Sequence, residues 1–169
     1  MSDRQDKKAQ FEKTEKKGPV IWVVVAVVAV ALAAGAWLGL GGSGSAFARV
    51  EAQEGKVRIP VSRVDDGKAH FFTYRHGDAD INFFLVKSRD GVIRAAFDTC
   101  DVCYKEKKGY RQEGNVMVCN NCEQTFPTER INVVKGGCNP APLVRMVGSG
   151  NVLIAAADLK KGAWYFQGN

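Results

Sequence analysis

The chain has 169 residues and a formal net charge of +6, from 24 Lys and Arg against 18 Asp and Glu. That length holds one domain plus appendages. Residues 1–18 carry +2 of the charge, six basic residues against four acidic; four thiolates would cancel the remaining +4, so nothing in the balance calls for a nucleic-acid partner.

Residues 1–18 read as a charged tail with almost no large apolar side chain. Val20 to Leu40 then runs without a charge and is rich in Val and Ala. Its 21 residues, at about 1.5 Å each, reach about 31 Å, so a transmembrane helix is expected over residues 19–40. Trp22 and Trp37 fall near its ends, where amphipathic rings prefer to sit. Lys13, Lys16 and Lys17 stand just before the span, and Arg49 and Lys56 are the first basic residues after it. The positive-inside tendency therefore keeps the N-terminus in the cytoplasm and exports the remainder. Ala46-Phe47-Ala48 resembles a signal-peptide cleavage site, but the apolar run is longer than a signal core and favours a retained anchor. Gly35 and Gly39 form a GxxxG pair, which would let two helices approach closely, but a Gly-rich helix end that passes into the linker at Gly41 to Ser45 is the favoured reading. The linker is placed over residues 41–54 and an exported metal-binding domain over residues 55–169.

The exported part reads as mainly β. Lys56 to Val61 has apolar residues at every second position, and Ala69 to Tyr74 is aromatic and strand-like. Ile81 to Val86 and Val92 to Phe97 follow. Turns at Asp65-Asp66-Gly67, His76-Gly77-Asp78 and Arg89-Asp90-Gly91 separate these runs, the pattern of an antiparallel meander. Pro127 to Val134 holds a short turn at most. Asn151 to Ala156 and Ala163 to Phe166 are expected to be two closing strands. A Walker loop, a dinucleotide fingerprint and a Gly-x-Ser-x-Gly elbow are all missing, which weighs against a hydrolase or a nucleotide-dependent enzyme and favours a carrier or metal-binding protein.

Between the two sets of strands lie two CxxC pairs, Cys100/Cys103 and Cys119/Cys122, fifteen residues apart. Each pair folds as a tight turn offering two sulfurs from one side. Closing the connection without an ion costs chain entropy for little packing, and a metal held by thiolates repays that cost. The spacing suits a structural zinc site or an iron–sulfur centre. Thiol redox chemistry or two disulfides fit less well, because a redox CxxC normally opens a helix inside a βαβ unit. Haem c attachment is excluded, since Tyr104 and Glu123 stand where His is required. Cys138, in Gly136-Gly137-Cys138-Asn139-Pro140, is a fifth thiol on a stiff loop. It is either a further ligand, a cover for the site, a holder of a soft ion such as copper(I) with Met146 or Met117, or an inert buried thiol. His70 and His76 are read as surface or packing residues, and Asp98 and Asp101 as turn caps or local charge.

Phe97 to Tyr104, Lys107 to Tyr110, Val118 to Cys122 and Gly136 to Leu143, in that order, resemble the FtrD-like membrane iron–sulfur family from about Gly55 onward. The resemblance implies a bacterial cytoplasmic-membrane protein with an exported metal domain, tied to iron uptake systems in which such proteins pass electrons. Its implied partners are the membrane and other components of a metal uptake or electron-transfer system. The layout of two ligand pairs, a Gly-rich loop and a Pro-Ala-Pro-Leu stretch is also similar to Rieske domains, with Cys in both His positions. All-thiolate ligation would lower the potential of a two-iron cluster. The resemblance places an iron–sulfur cluster on Cys100, Cys103, Cys119 and Cys122 ahead of zinc, with copper third. The alternative is a non-redox zinc- or copper-binding module in metal handling or assembly.

Overall fold

The computed structural model describes residues 47–167. The charged tail, the apolar run at 19–40 with its GxxxG pair, and the Gly/Ser stretch lie outside the described residues. Among the described residues no helix is long and apolar enough to cross a membrane.

Among the described residues ten strands form three small sheets. The first contains β1 (Ala48–Val50), β3 (His70–His76), β4 (Ala79–Lys87) and β5 (Ile93–Phe97), in the order β1-β3-β4-β5. β3, β4 and β5 are the expected meander, with Phe72 opposite Phe83 and Phe83 opposite Phe97. Gly77 supplies the positive φ of +58° that the tight β3–β4 turn requires. β1 falls within the stretch read as linker and runs parallel to β3.

β2 (Lys56–Pro60) has the alternating burial its sequence predicts, yet it does not join the meander. It pairs with β10 (Asn151–Ala155), placing Ile59 opposite Val152, and β9 (Met146–Gly148) completes the second sheet in the order β2-β10-β9. The two ends of the domain therefore meet. The expected strand at Ala163 to Phe166 is absent. A short helix, α1 (Ala156–Lys161), leads instead into a 3-10 turn at Ala163–Tyr165. Ala156 and Leu159, three residues apart, are its buried face, and Lys160 and Lys161 suit its C-terminal end. Six residues are too few to print a helical period on the sequence.

The third sheet lies within the region between the first Cys pair and the Gly-rich loop. β6 (Tyr110–Glu113), β7 (Val116–Cys119) and β8 (Thr125–Pro127) run antiparallel, in the order β6-β7-β8. A 3-10 turn at Thr128–Arg130 follows, within the segment expected to hold one.

β4 explains how the sheets are layered. Phe83, Phe84, Leu85 and Val86 are all fully buried, so both faces of this strand are covered. Successive side chains point to opposite faces. Ile81, Phe83 and Leu85 enter a core shared with Ile59, Val152, Ile154 and Leu159. Phe84 and Val86 enter a second core with Ala96, Tyr110, Met117, Cys100 and Cys119. Each buried Phe contributes about 1.5–3 kcal/mol of transfer free energy. The first sheet is thus the middle layer, and the cysteines belong to the smaller core.

Candidate metal centre

Three loops bring sulfur to one place. Cys100 and Cys103 follow β5, and the backbone N–H of Cys103 donates to Cys100 Sγ at 3.2 Å. Cys119 ends β7, and the chain turns sharply there, with Glu123 N donating to Cys119 O at 2.9 Å and Glu123 at φ +59°. Cys138 arrives on the loop after Gly136 and Gly137, whose φ values are +84° and +62°. The sulfurs of Cys100, Cys103 and Cys138 lie within 4.8 Å of one another, and so do those of Cys103, Cys119 and Cys122. Cys103 belongs to both groups, so the five thiols form one cluster. Cys100 and Cys119 are buried, Cys103 and Cys138 half-buried, and Cys122 exposed.

The scaffold around the cluster is hydrogen-bonded throughout. Tyr110 N donates to Asp98 Oδ1 at 2.7 Å, tying β6 to the first Cys loop. The Tyr110 hydroxyl donates to Cys138 O at 2.5 Å, tying the same residue to the Gly-rich loop. Ala141 N donates to Thr99 O, and Phe97 N donates to Ala141 O, each at 2.8 Å. Asn120 Nδ2 donates to Lys108 O at 2.8 Å, and Lys108 Nζ donates to Asn121 Oδ1 at 3.0 Å. Tyr165 donates its hydroxyl to Asp101 Oδ1. Asp98 and Asp101, read from the sequence as turn caps or local charge, instead hold distant elements to the first Cys loop. Tyr110 is the residue sequence reasoning passed over, since its place opposite Cys119 in the β6–β7 register appears only once the hairpin is known.

Crowding sets the electrostatics. The Asn121 hydrogen bond lowers the Cys103 pKa, but burial and the thiolates of Cys100 and Cys119 outweigh it and push that thiol up to about 12. Burial, followed by Cys122, pushes Cys138 up to about 11. The Gln124 backbone N–H holds Cys122 below the ordinary thiol value. Burial also pushes the Asp98 carboxyl up to about 7, against the Tyr110 N–H. Sulfurs packed this closely repel as thiolates, and a cation among them removes the repulsion and draws off their protons. The donor set therefore fits a thiophilic metal or an iron–sulfur cluster with thiolate ligands.

No histidine joins the cluster among the described residues. His70 Nε2 lies 2.7 Å from Asp66 Oδ1, and His76 is exposed at the end of β3. Met117 is buried in the second core, whereas Met146 is exposed on β9 of the second sheet.

Fold and cluster together define a small, mainly β domain built around a multi-cysteine metal site. Residues 64–166 match the family of membrane iron-sulfur containing proteins called FtrD-like, and the chain belongs to that family. No curated protein matches the sequence. In structure, 57% of the chain aligns with crystal structures of the quaternary ammonium Rieske monooxygenase CntA at 18% identity. The complex with the inhibitor MMV12 gives a TM-score of 0.39 over 29% of that protein, and the apo form gives 0.38 over 31%. The chain therefore spans under a third of the length of these proteins.

Proposed function

We propose that this chain is a single-pass protein of the bacterial cytoplasmic membrane, with its N-terminus inside and residues 55–169 exported. That domain holds one iron–sulfur centre through Cys100, Cys103, Cys119 and Cys122 and passes electrons in support of iron uptake. The observation that carries this reading is the meeting of five sulfurs from three loops within 4.8 Å groups, two in a hydrophobic core and three at its edge or exposed. Family membership supports the membrane setting and the iron–sulfur chemistry. An electron carrier needs a centre shielded enough to tune its potential and close enough to the surface for transfer. Buried Cys100 and Cys119 beside exposed Cys122 meet both needs.

The full chain, purified without oxygen in non-ionic detergent, is expected to be coloured and to contain iron and sulfide. Its visible absorption should bleach with dithionite. A colourless protein carrying one zinc per chain would replace electron transfer with a non-redox role in metal handling.

A further inference from the structure

The site has five sulfurs where a cluster or ion of the kind proposed above takes four. Cys100 and Cys119 are buried in the second core, and Cys103 belongs to both sulfur groups. Burial fixes Cys100 and Cys119, and Cys103 stands between the two sulfur groups. The remaining two differ. Cys122 is exposed in the turn after β7, whereas Cys138 is half-buried and packs against the second core. We infer that Cys138 is an alternative fourth ligand, which exchanges with Cys122 at one coordination position of the centre.

Cys138 is no stray thiol. The Tyr110 hydroxyl holds its carbonyl, and Ala141 N holds the loop to Thr99 in the first Cys loop. Asn139 Nδ2 closes the loop on Gly136 O at 2.9 Å. Positive φ at Gly136 and Gly137 lets the chain turn inward without a Cβ penalty. Together these bonds aim the Cys138 sulfur at Cys100 and Cys103. A loop built only to cover the centre would need no sulfur there.

The exchange is balanced. Cys138 gives up its proton as it binds, the released Cys122 thiolate takes one up, and the charge of the site is unchanged. The centre then survives loss of its one exposed ligand, for example by oxidation or alkylation of Cys122.

The test rests on the reading that the site binds a metal, and it uses the full chain in detergent, reconstituted anaerobically with ferrous iron and sulfide. Iron content, the visible spectrum and iodoacetamide-reactive thiols are measured for wild type, Cys119→Ala, Cys122→Ala, Cys138→Ala and the double variant Cys122→Ala/Cys138→Ala. Circular dichroism monitors folding, and Cys122→Ser repeats the exposed position with a smaller change. Wild type should show one reactive thiol per chain when loaded. Cys122→Ala and Cys138→Ala should each keep at least about two-thirds of the wild-type iron with no reactive thiol, and Cys122→Ala should show a shifted spectrum. Cys119→Ala and the double variant should lose most of the iron. Two results overturn the inference: Cys122→Ala losing iron as completely as Cys119→Ala, or the double variant keeping it. If wild type takes up no iron, the iron–sulfur reading fails instead. The same variants loaded with zinc then decide the ligand exchange by the same thiol count.

Discussion

Replacing Gly109 with Ala tests how the first Cys loop is joined to the third sheet. Gly109 has φ +63°, which costs an L-residue about 1–2 kcal/mol. A Cβ there would stand 2.2 Å from Asp98 Oδ2 and 2.7 Å from its Cγ, so the carboxyl group must move. Movement breaks the bond that Asp98 Oδ1 accepts from Tyr110 N, and a buried bond of this charged kind contributes about 1.5–3 kcal/mol. Gly109→Ala should therefore cost about 2.5–5 kcal/mol in all. Gly77→Ala is the control, because φ is +58° there and a Cβ meets nothing within 4 Å, leaving only the backbone cost of about 1–2 kcal/mol. Urea unfolding followed by circular dichroism measures both, and the midpoint of Gly109→Ala should fall clearly below that of Gly77→Ala. In an Asp98→Ala background, Gly109→Ala should cost only the backbone amount of about 1–2 kcal/mol, since the obstructing carboxyl and the bond it accepted from Tyr110 N are already gone. Equal midpoints for the two glycine variants would refute the claim that Asp98 packs against Gly109.

Two further changes address the Gly-rich loop and the surface. Tyr110→Phe removes the hydroxyl that holds Cys138 O, so it should cost about 1 kcal/mol and make Cys138 react faster with iodoacetamide in the metal-free protein. Asp90 accepts two hydrogen bonds from Arg94, at 2.9 and 2.8 Å, and this pairing lowers its pKa from 3.8 to about 2. A carboxyl held below its unfolded value stabilises the fold above that value and loses the effect as pH falls toward the folded one. Asp90→Asn should accordingly lower the melting temperature at neutral pH, and the gap from wild type should narrow between about pH 4 and about pH 2.

The sequence made β2 to β5 and β10 readable because each buries alternate residues or is bounded by Asp and Gly turns. It hid what depends on distant partners. Lys56–Pro60 looks like a first meander strand, and only its pairing with Asn151–Ala155 shows that it belongs to a different sheet. β6 and β7 escaped notice because Tyr-Arg-Gln-Glu and Val-Met-Val-Cys are four residues each, and their stability comes from packing Tyr110 and Met117 beneath β4. The two CxxC pairs were legible from spacing alone. Cys138 was legible only as one of several alternatives, because the Tyr110 bond that orients its loop crosses between elements.

The two cores differ in how much they depend on the sulfurs, and this gives a regional prediction. The larger core has eighteen buried residues and contains none of the cysteines. The smaller has eight, of which Cys100 and Cys119 are two, so a quarter of its buried positions are thiols. With a metal bound, those thiols link the two CxxC loops covalently through one centre. Without it they repel or retain protons, and the third sheet is left with three short strands held by Phe84, Tyr110 and Met117. Stripping the metal with a chelator should speed amide hydrogen exchange across residues 110–127 and 136–141. Exchange at Phe72, Phe83, Leu85, Val152 and Ile154 should remain slow, because their packing involves no ligand. Uniform loss of protection across all three sheets would mean that the domain unfolds as a single unit, and that the metal is as necessary to the larger core as to the smaller.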